Sequence, residues 1–93
     1  MRKYEAMLIF KSDLSKEGLE KLVTQVKGAI EKNKGSISQS REWGKQRLAY
    51  PIKKYKEGLY YIVNFNIEPD SISKIKRAFS LNESILRALI TVL

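Results

Sequence analysis

From Tyr4 to Phe10 apolar positions alternate, with Tyr4, Ala6, Leu8 and Phe10 on one side of an extended chain and Glu5, Met7 and Ile9 on the other. A two-residue period predicts a strand with one apolar face and one mixed face. Ser12-Asp13-Leu14-Ser15 then offers several helix-capping side chains, and Glu17 and Glu20 suit the positive end of a helix. Leu19, Leu22, Val23, Val26, Ala29 and Ile30 recur in steps of three and four, the stripe of an amphipathic helix. Gly28 weakens that helix by about 1 kcal/mol relative to alanine, and Lys32-Asn33-Lys34-Gly35 is a suitable stop.

Ser36 to Trp43 alternates weakly, with small polar residues, and predicts a second strand. Gly44 predicts a bend or bulge in it, after which Arg47 to Ile52 is extended again. Lys53 to Gly58 reads as a charged turn. Leu59 to Ile67 is the clearest strand, with Tyr61, Val63, Phe65 and Ile67 on one face and Tyr60, Ile62, Asn64 and Asn66 on the other. Pro69-Asp70-Ser71 opens a second helix carrying Ile72, Ile75, Ala78 and Phe79, with its exit near Asn82. Ile85 to Leu93 is a last strand in which Leu86, Ala88, Ile90 and Val92 share one face. The order β-α-β-β-α-β, with right-handed crossovers, predicts an α+β, ferredoxin-like domain spanning residues 1–93, with two helices on one face of a four-stranded antiparallel sheet. The other face, carrying Met7, Ile9, Tyr60 and Ile62, has no helix to cover it and is the first hint of a binding surface.

Charge sharpens that hint. Lys and Arg number 18 against 10 Asp and Glu, a net charge of +8 on 93 residues. Such a surface attracts polyanions and releases their counterions. The chain has no Cys and no His, which removes disulfides, thiolate nucleophiles, the usual zinc ligands and the commonest neutral-pH base. No run approaches the roughly 20 apolar residues of a spanning helix, and the N-terminus shows no signal peptide. A cytoplasmic protein without cofactor or metal is expected.

The densest feature is GKQRLAYPIKKYKEG, Gly44 to Gly58. Arg41, Lys45, Arg47, Lys53, Lys54 and Lys56 are interleaved there with Tyr50 and Tyr55. Cations for phosphates beside rings that stack on unpaired bases suit RNA contact; a solvated charged hairpin would look the same. Arg2, Lys3 and Arg87 lie on strands expected to be neighbours and would form a further patch, whereas Lys74, Lys76 and Arg77 read as the solvated side of the second helix. Trp43 fits either a partner contact or the core. The carboxylates are scattered, and there is no P-loop, dinucleotide turn or nucleophile elbow, so no enzyme is expected.

Gly44 to Phe65, with its run Arg-Leu-Ala-Tyr-Pro-Ile, resembles the signature region of the bacterial small-ribosomal-subunit protein six family, and Met1-Arg2-Lys3-Tyr4-Glu5 is similar to that family's opening. The resemblance spans essentially the whole chain. It implies a ferredoxin-like domain without enzymatic activity that binds 16S ribosomal RNA beside ribosomal protein eighteen of the small subunit. By the same resemblance Arg2, Lys3, Lys53, Lys54 and Arg87 are expected to contact RNA, joined by Lys45 and Lys56 of the basic run. Arg41, Glu42, Gln46, Arg47, Leu48 and Tyr50 are expected to border the protein partner. Two features depart from the family pattern: many members continue past the last strand, and Gln46 stands where some relatives carry a basic residue.

The nearest alternative is an RNA-recognition-motif-like binder of single-stranded RNA. Gly58, Tyr61 and Ile62 match that pattern, and Glu57 and Asn64 do not. A ligand-binding or oligomeric module on the same fold would also present an apolar sheet face. A small phosphatase would need a phosphate-cradling loop, which Lys11-Ser12-Asp13-Leu14 is not.

Overall fold

A computed structural model describes all of residues 1–93. Its elements are β1 (Arg2–Lys11), α1 (Lys16–Lys32), β2 (Ser36–Ile52), β3 (Tyr55–Ile67), a 3-10 turn (Pro69–Ser71), α2 (Ile72–Ser80) and β4 (Ile85–Val92). The strands form one antiparallel sheet in the order β2-β3-β1-β4. This is the ferredoxin-like arrangement that the element order predicts.

Alternation decides which side of each strand is buried. Tyr4, Ala6, Leu8 and Phe10 of β1 pack with Tyr61, Val63, Phe65 and Ile67 of β3, and Leu22, Val26, Ile30, Ile75 and Phe79 of the helices close the layer from above. Both helices therefore share one face. Ring pairs reinforce the β1–β3 seam, with Tyr4 against Phe65 at 5.9 Å and Phe10 against Tyr61 at 5.7 Å between centroids. The Tyr61 hydroxyl is buried there with no hydrogen-bond partner. An unpaired buried hydroxyl is destabilising, so Tyr61→Phe, which keeps the ring, is expected to raise stability by about 1 kcal/mol. A denaturation midpoint equal to or below that of the unaltered protein would show that the hydroxyl is solvated or bonded.

Local chemistry ends α1 as the sequence suggests, with one difference. The Ser15 hydroxyl accepts from the Gly18 amide at 3.0 Å, capping the N-terminus. At the other end the Gly35 amide donates to the Ile30 carbonyl and the Lys34 amide to that of Glu31, a Schellman closure. The left-handed residue is Lys34, at φ 66°, and not the glycine. Gly35 is needed for space: a Cβ there would stand 2.6 Å from Ile30 Cγ2 and 2.9 Å from the Ile30 carbonyl oxygen. Lys34 bears a Cβ penalty that glycine would not. Lys34→Gly should therefore stabilise the fold by about 0.5–1 kcal/mol, checked by the denaturation midpoint at unchanged slope.

The structure corrects one boundary and one face. The turn between β2 and β3 is only Lys53-Lys54, because Ile52 pairs with Tyr55 and the residues from Tyr55 to Gly58 belong to β3. In β4 a bulge opposite Ile9 and Phe10 breaks the alternation. Ile85 consequently enters the main core, whereas Leu86 turns to the other sheet face and packs with Ile9 and Leu48. Leu86 does not share a face with Ala88, Ile90 and Val92. Gly44 sits at a register shift of β2 with φ 81°, the bulge expected of it.

Candidate nucleic-acid interface

β3 pairs with β1 only from Ile67 to Gly58, at Lys11. Arg47–Ile52 and Tyr55–Glu57 therefore project past the end of β1 as a two-stranded arm. Two strands alone are marginal in water, so the arm needs anchoring. Leu48 supplies it, buried against Ile9 and Leu86, with Ile52, Tyr55 and Tyr60 around them. The Tyr55 hydroxyl donates to the Asp13 carboxylate at 3.2 Å, tying the arm to the β1–α1 loop. Partial desolvation, then the Asp13 carboxylate as bond acceptor and as nearby negative charge, raise the Tyr55 phenol above its ordinary 10.0. It stays protonated, and the bond stays made, throughout the neutral range. Gly58 at the pivot is required by close approach: a Cβ there would collide with Ile9 Cγ2.

At the arm tip Lys53 and Lys54 have φ 48° and 72°. Two positive φ values in a two-residue hairpin loop are the signature of a type I′ turn, which ordinarily selects Asn-Gly. Lysines are strained there, and strain of this kind concentrates at functional sites.

The sequence-predicted cations fall into two groups. Lys45, Lys53, Lys54, Lys56 and Arg87 gather at the arm end, with Lys45 opposite Leu59 and Arg87 opposite Ile9. Arg2 and Lys3 lie at the other end of β1, opposite Ile67 and Asn66. They do not form one patch with Arg87. Ile9, the pairing partner of Arg87, is seven residues from Arg2, about 23 Å at roughly 3.3 Å per residue. All seven cations are exposed. None of the 18 Lys and Arg side chains is in an ion pair; the one salt bridge joins the Met1 ammonium to Glu68 at 3.4 Å. The fold leaves these positive charges without an internal counter-ion.

The candidate partner residues line the outer strand β2. Arg41, Glu42, Gln46 and Arg47 are exposed, and Tyr50 is 79 % exposed. Leu48 differs in being buried, packed with Ile9 and Leu86 as the arm's anchor, while one side of it lines the hollow described next. Beside it, Tyr50, Ile52, Ile9, Tyr60 and Arg87 surround a shallow hollow of ≈ 170 Å³. Trp43 lies on the same strand and is 52 % exposed, a side chain free for contact and not a core residue. Sequence reasoning missed Leu86 and Leu89 at this surface. The bulge that redirects Leu86 leaves no signal in the β4 pattern.

Tyr61 decides against the RNA-recognition-motif alternative. The ring that matched that pattern faces the helices and is stacked on Phe10, so no base can stack on it.

Known proteins resemble this chain in sequence and in fold. A family model described as "Ribosomal protein S6" matches residues 3–91. The "Small ribosomal subunit protein bS6" of Caldanaerobacter subterraneus subsp. tengcongensis is 40 % identical over 90 residues, 97 % of this chain and 95 % of that one. The crystal structure of 30S ribosomal protein S6 from Thermotoga maritima superposes with a TM-score of 0.93 at 30 % identity, covering 99 % of this chain and 87 % of that one. The P2 domain of the chemotaxis kinase CheA from the same organism reaches a TM-score of 0.59 at 13 % identity, over 99 % of this chain and 98 % of that one; it shares the fold alone. The chain belongs to the ribosomal protein S6 family, a family of small-ribosomal-subunit proteins and not of enzymes.

Proposed function

We propose that this chain is a structural constituent of the small ribosomal subunit in the cytoplasm and binds 16S ribosomal RNA together with ribosomal protein eighteen. It uses no cofactor and carries out no catalysis. The observation that carries the reading is the arm: exposed, unpaired cations held at a strained tip, on a support that buries Leu48 to keep the tip in place.

In this reading Lys45, Lys53, Lys54, Lys56 and Arg87 meet phosphates at the arm end, while Arg2 and Lys3 meet RNA separately at the far end of β1. Arg41, Glu42, Gln46, Arg47 and Tyr50 border the protein partner along the outer edge of β2. An edge strand with exposed aromatic side chains suits a protein neighbour, whose docking covers both the backbone edge and the rings. The two surfaces adjoin, so partner and RNA are clamped by one continuous face.

Binding should therefore be tight only when both components are present, and it should be salt-dependent. Each phosphate contacted contributes about 0.7–0.9 to the slope of log affinity against log salt. A titration with and without ribosomal protein eighteen, over a salt series, checks this. Equal affinity in its absence would remove the partner from the reading, and a flat salt response would remove the phosphates.

A further inference from the structure

A cleft of ≈ 440 Å³ lies between the arm tip, α2 and the outer edge of β4. Three cations from three elements line it: Lys53 of the turn, Lys76 of α2 and Arg87 of β4. No carboxylate is among its lining residues, and none of the three cations has an ion-pair partner. Ala88 on the helix side of β4, and Leu86 and Leu89 on its other side, make the lining apolar around the strand edge, where Leu89 is 46 % exposed. β4 is an edge strand, so backbone N–H groups along its outer side have no ladder partner and add donors to the cleft.

We propose that this cleft binds a single unpaired nucleotide of the RNA, its phosphate held by Lys53, Lys76 and Arg87 and its base packed along the β4 edge against the exposed Leu89. The inference rests on the RNA-binding reading above and deepens it by adding Lys76, which helical periodicity alone assigns to a solvated face. The volume lies within the range of sites that enclose a small ligand. An anion with a flat, weakly polar body matches three cations beside an apolar strand edge better than a bare ion does. Solvated lysines guarding a sheet edge are the ordinary explanation for such charges. That explanation does not account for Lys53, which bends toward this cleft from a backbone position where a lysine is strained. Lys54 and Lys56 continue the cationic track from the cleft onto the arm, as a polyanionic strand passing through it requires.

The test compares Lys76→Ala with Lys74→Ala, its neighbour on α2 that does not line the cleft. RNA affinity of the full chain is measured with ribosomal protein eighteen over a salt series. Lys76→Ala should weaken binding about five- to eightfold at 0.1 M salt and make the log–log slope shallower by about 0.7–0.9; Lys74→Ala should do neither. Equal losses in the two variants would reduce the effect to general charge and overturn the site, as would an unchanged Lys76→Ala. If Lys53→Glu/Lys54→Glu weakens binding while Lys76→Ala does not, the cleft fails and the RNA reading stands. If the unaltered chain and its partner do not bind RNA, both fail. Methyl signals of Leu86, Ala88 and Leu89 should shift with a short oligoribonucleotide and not with polyglutamate; a response to polyglutamate alone would assign the edge to an acidic peptide instead.

Discussion

Reversing both tip charges, Lys53→Glu/Lys54→Glu, should weaken RNA binding by about 50-fold or more at 0.1 M salt. Two phosphate contacts, each contributing about 0.7–0.9 to the salt slope, account for roughly 25- to 60-fold, and two new negative charges near the backbone add repulsion. The fold should tolerate the change, since both side chains are exposed and glutamate bears the same strain at positive φ as lysine. A companion variant separates function from folding. Lys53→Asn/Lys54→Gly installs the residues a type I′ turn prefers and should raise stability by about 1–2 kcal/mol, while losing the same two contacts. Stability and affinity then move in opposite directions. If the Asn-Gly protein bound RNA as well as the original, the strained lysines would have no role in recognition.

Removing the arm's anchor should cost nearly as much by a different route. Leu48 is 9 % exposed and packs between Ile9 and Leu86. Leu48→Ala leaves a void at the joint and should destabilise the protein by about 2–3 kcal/mol, toward the low end for buried leucines because the site is near the surface. The loss should be uneven. Amides of the arm, from Tyr55 to Glu57, depend on this cluster for protection, whereas those of β1 and the middle of β3 belong to the main core, so arm exchange should accelerate most. RNA affinity should fall in the same variant although no charge has changed, because Lys53 and Lys54 are no longer held in one place. Leu48→Met, which conserves volume, should be nearly neutral on both measures. Arm amides that exchanged in Leu48→Ala as they do in the original would show that the Tyr55–Asp13 bond and strand pairing suffice to hold the arm.

The contrast between these two variants also marks where sequence pattern stops being informative. Main-core positions are legible because burial on one face imposes a period: Tyr61, Val63, Phe65 and Ile67 were separable from Tyr60, Ile62, Asn64 and Asn66 by alternation alone, and the α1 stripe by steps of three and four. The arm has no such imprint. Lys56 and Glu57 are solvated and extend past β1, so nothing in their pattern distinguishes strand from turn, and the pattern extends the turn four residues too far. Register is equally silent. That Arg87 faces Ile9, and so stands far from Arg2 and Lys3, follows from how β4 pairs with β1 around a bulge, a property of two strands together. Leu48 and Lys76 show what pattern alone leaves open. Leu48 carries a motif position whose side chain packs with Ile9 and Leu86, and Lys76, exposed on α2, lines a cleft with Lys53 and Arg87 that forms only when the arm tip and the β4 edge are brought up to it.

The family was legible because Gly44 to Phe65, with its run Arg-Leu-Ala-Tyr-Pro-Ile, and the opening Met1-Arg2-Lys3-Tyr4-Glu5 resemble that family. Three positions of the segment have a physical task in this fold: Gly44 takes a left-handed bulge, Leu48 pins the arm, and Gly58 permits the close approach of Ile9. Charge completes the picture, since the fold leaves every lysine and arginine side chain without an internal counter-ion.

Sedimentation of the purified chain with small ribosomal subunits through a cushion of moderate salt tests the central claim most directly. The protein should travel with the particles and be released progressively as salt is raised, and the Lys53→Glu/Lys54→Glu variant should be released at lower salt than the original. A chain that stayed at the top of the cushion at every salt concentration, although folded, would contradict the claim that its uncovered cationic arm exists to join the ribosome.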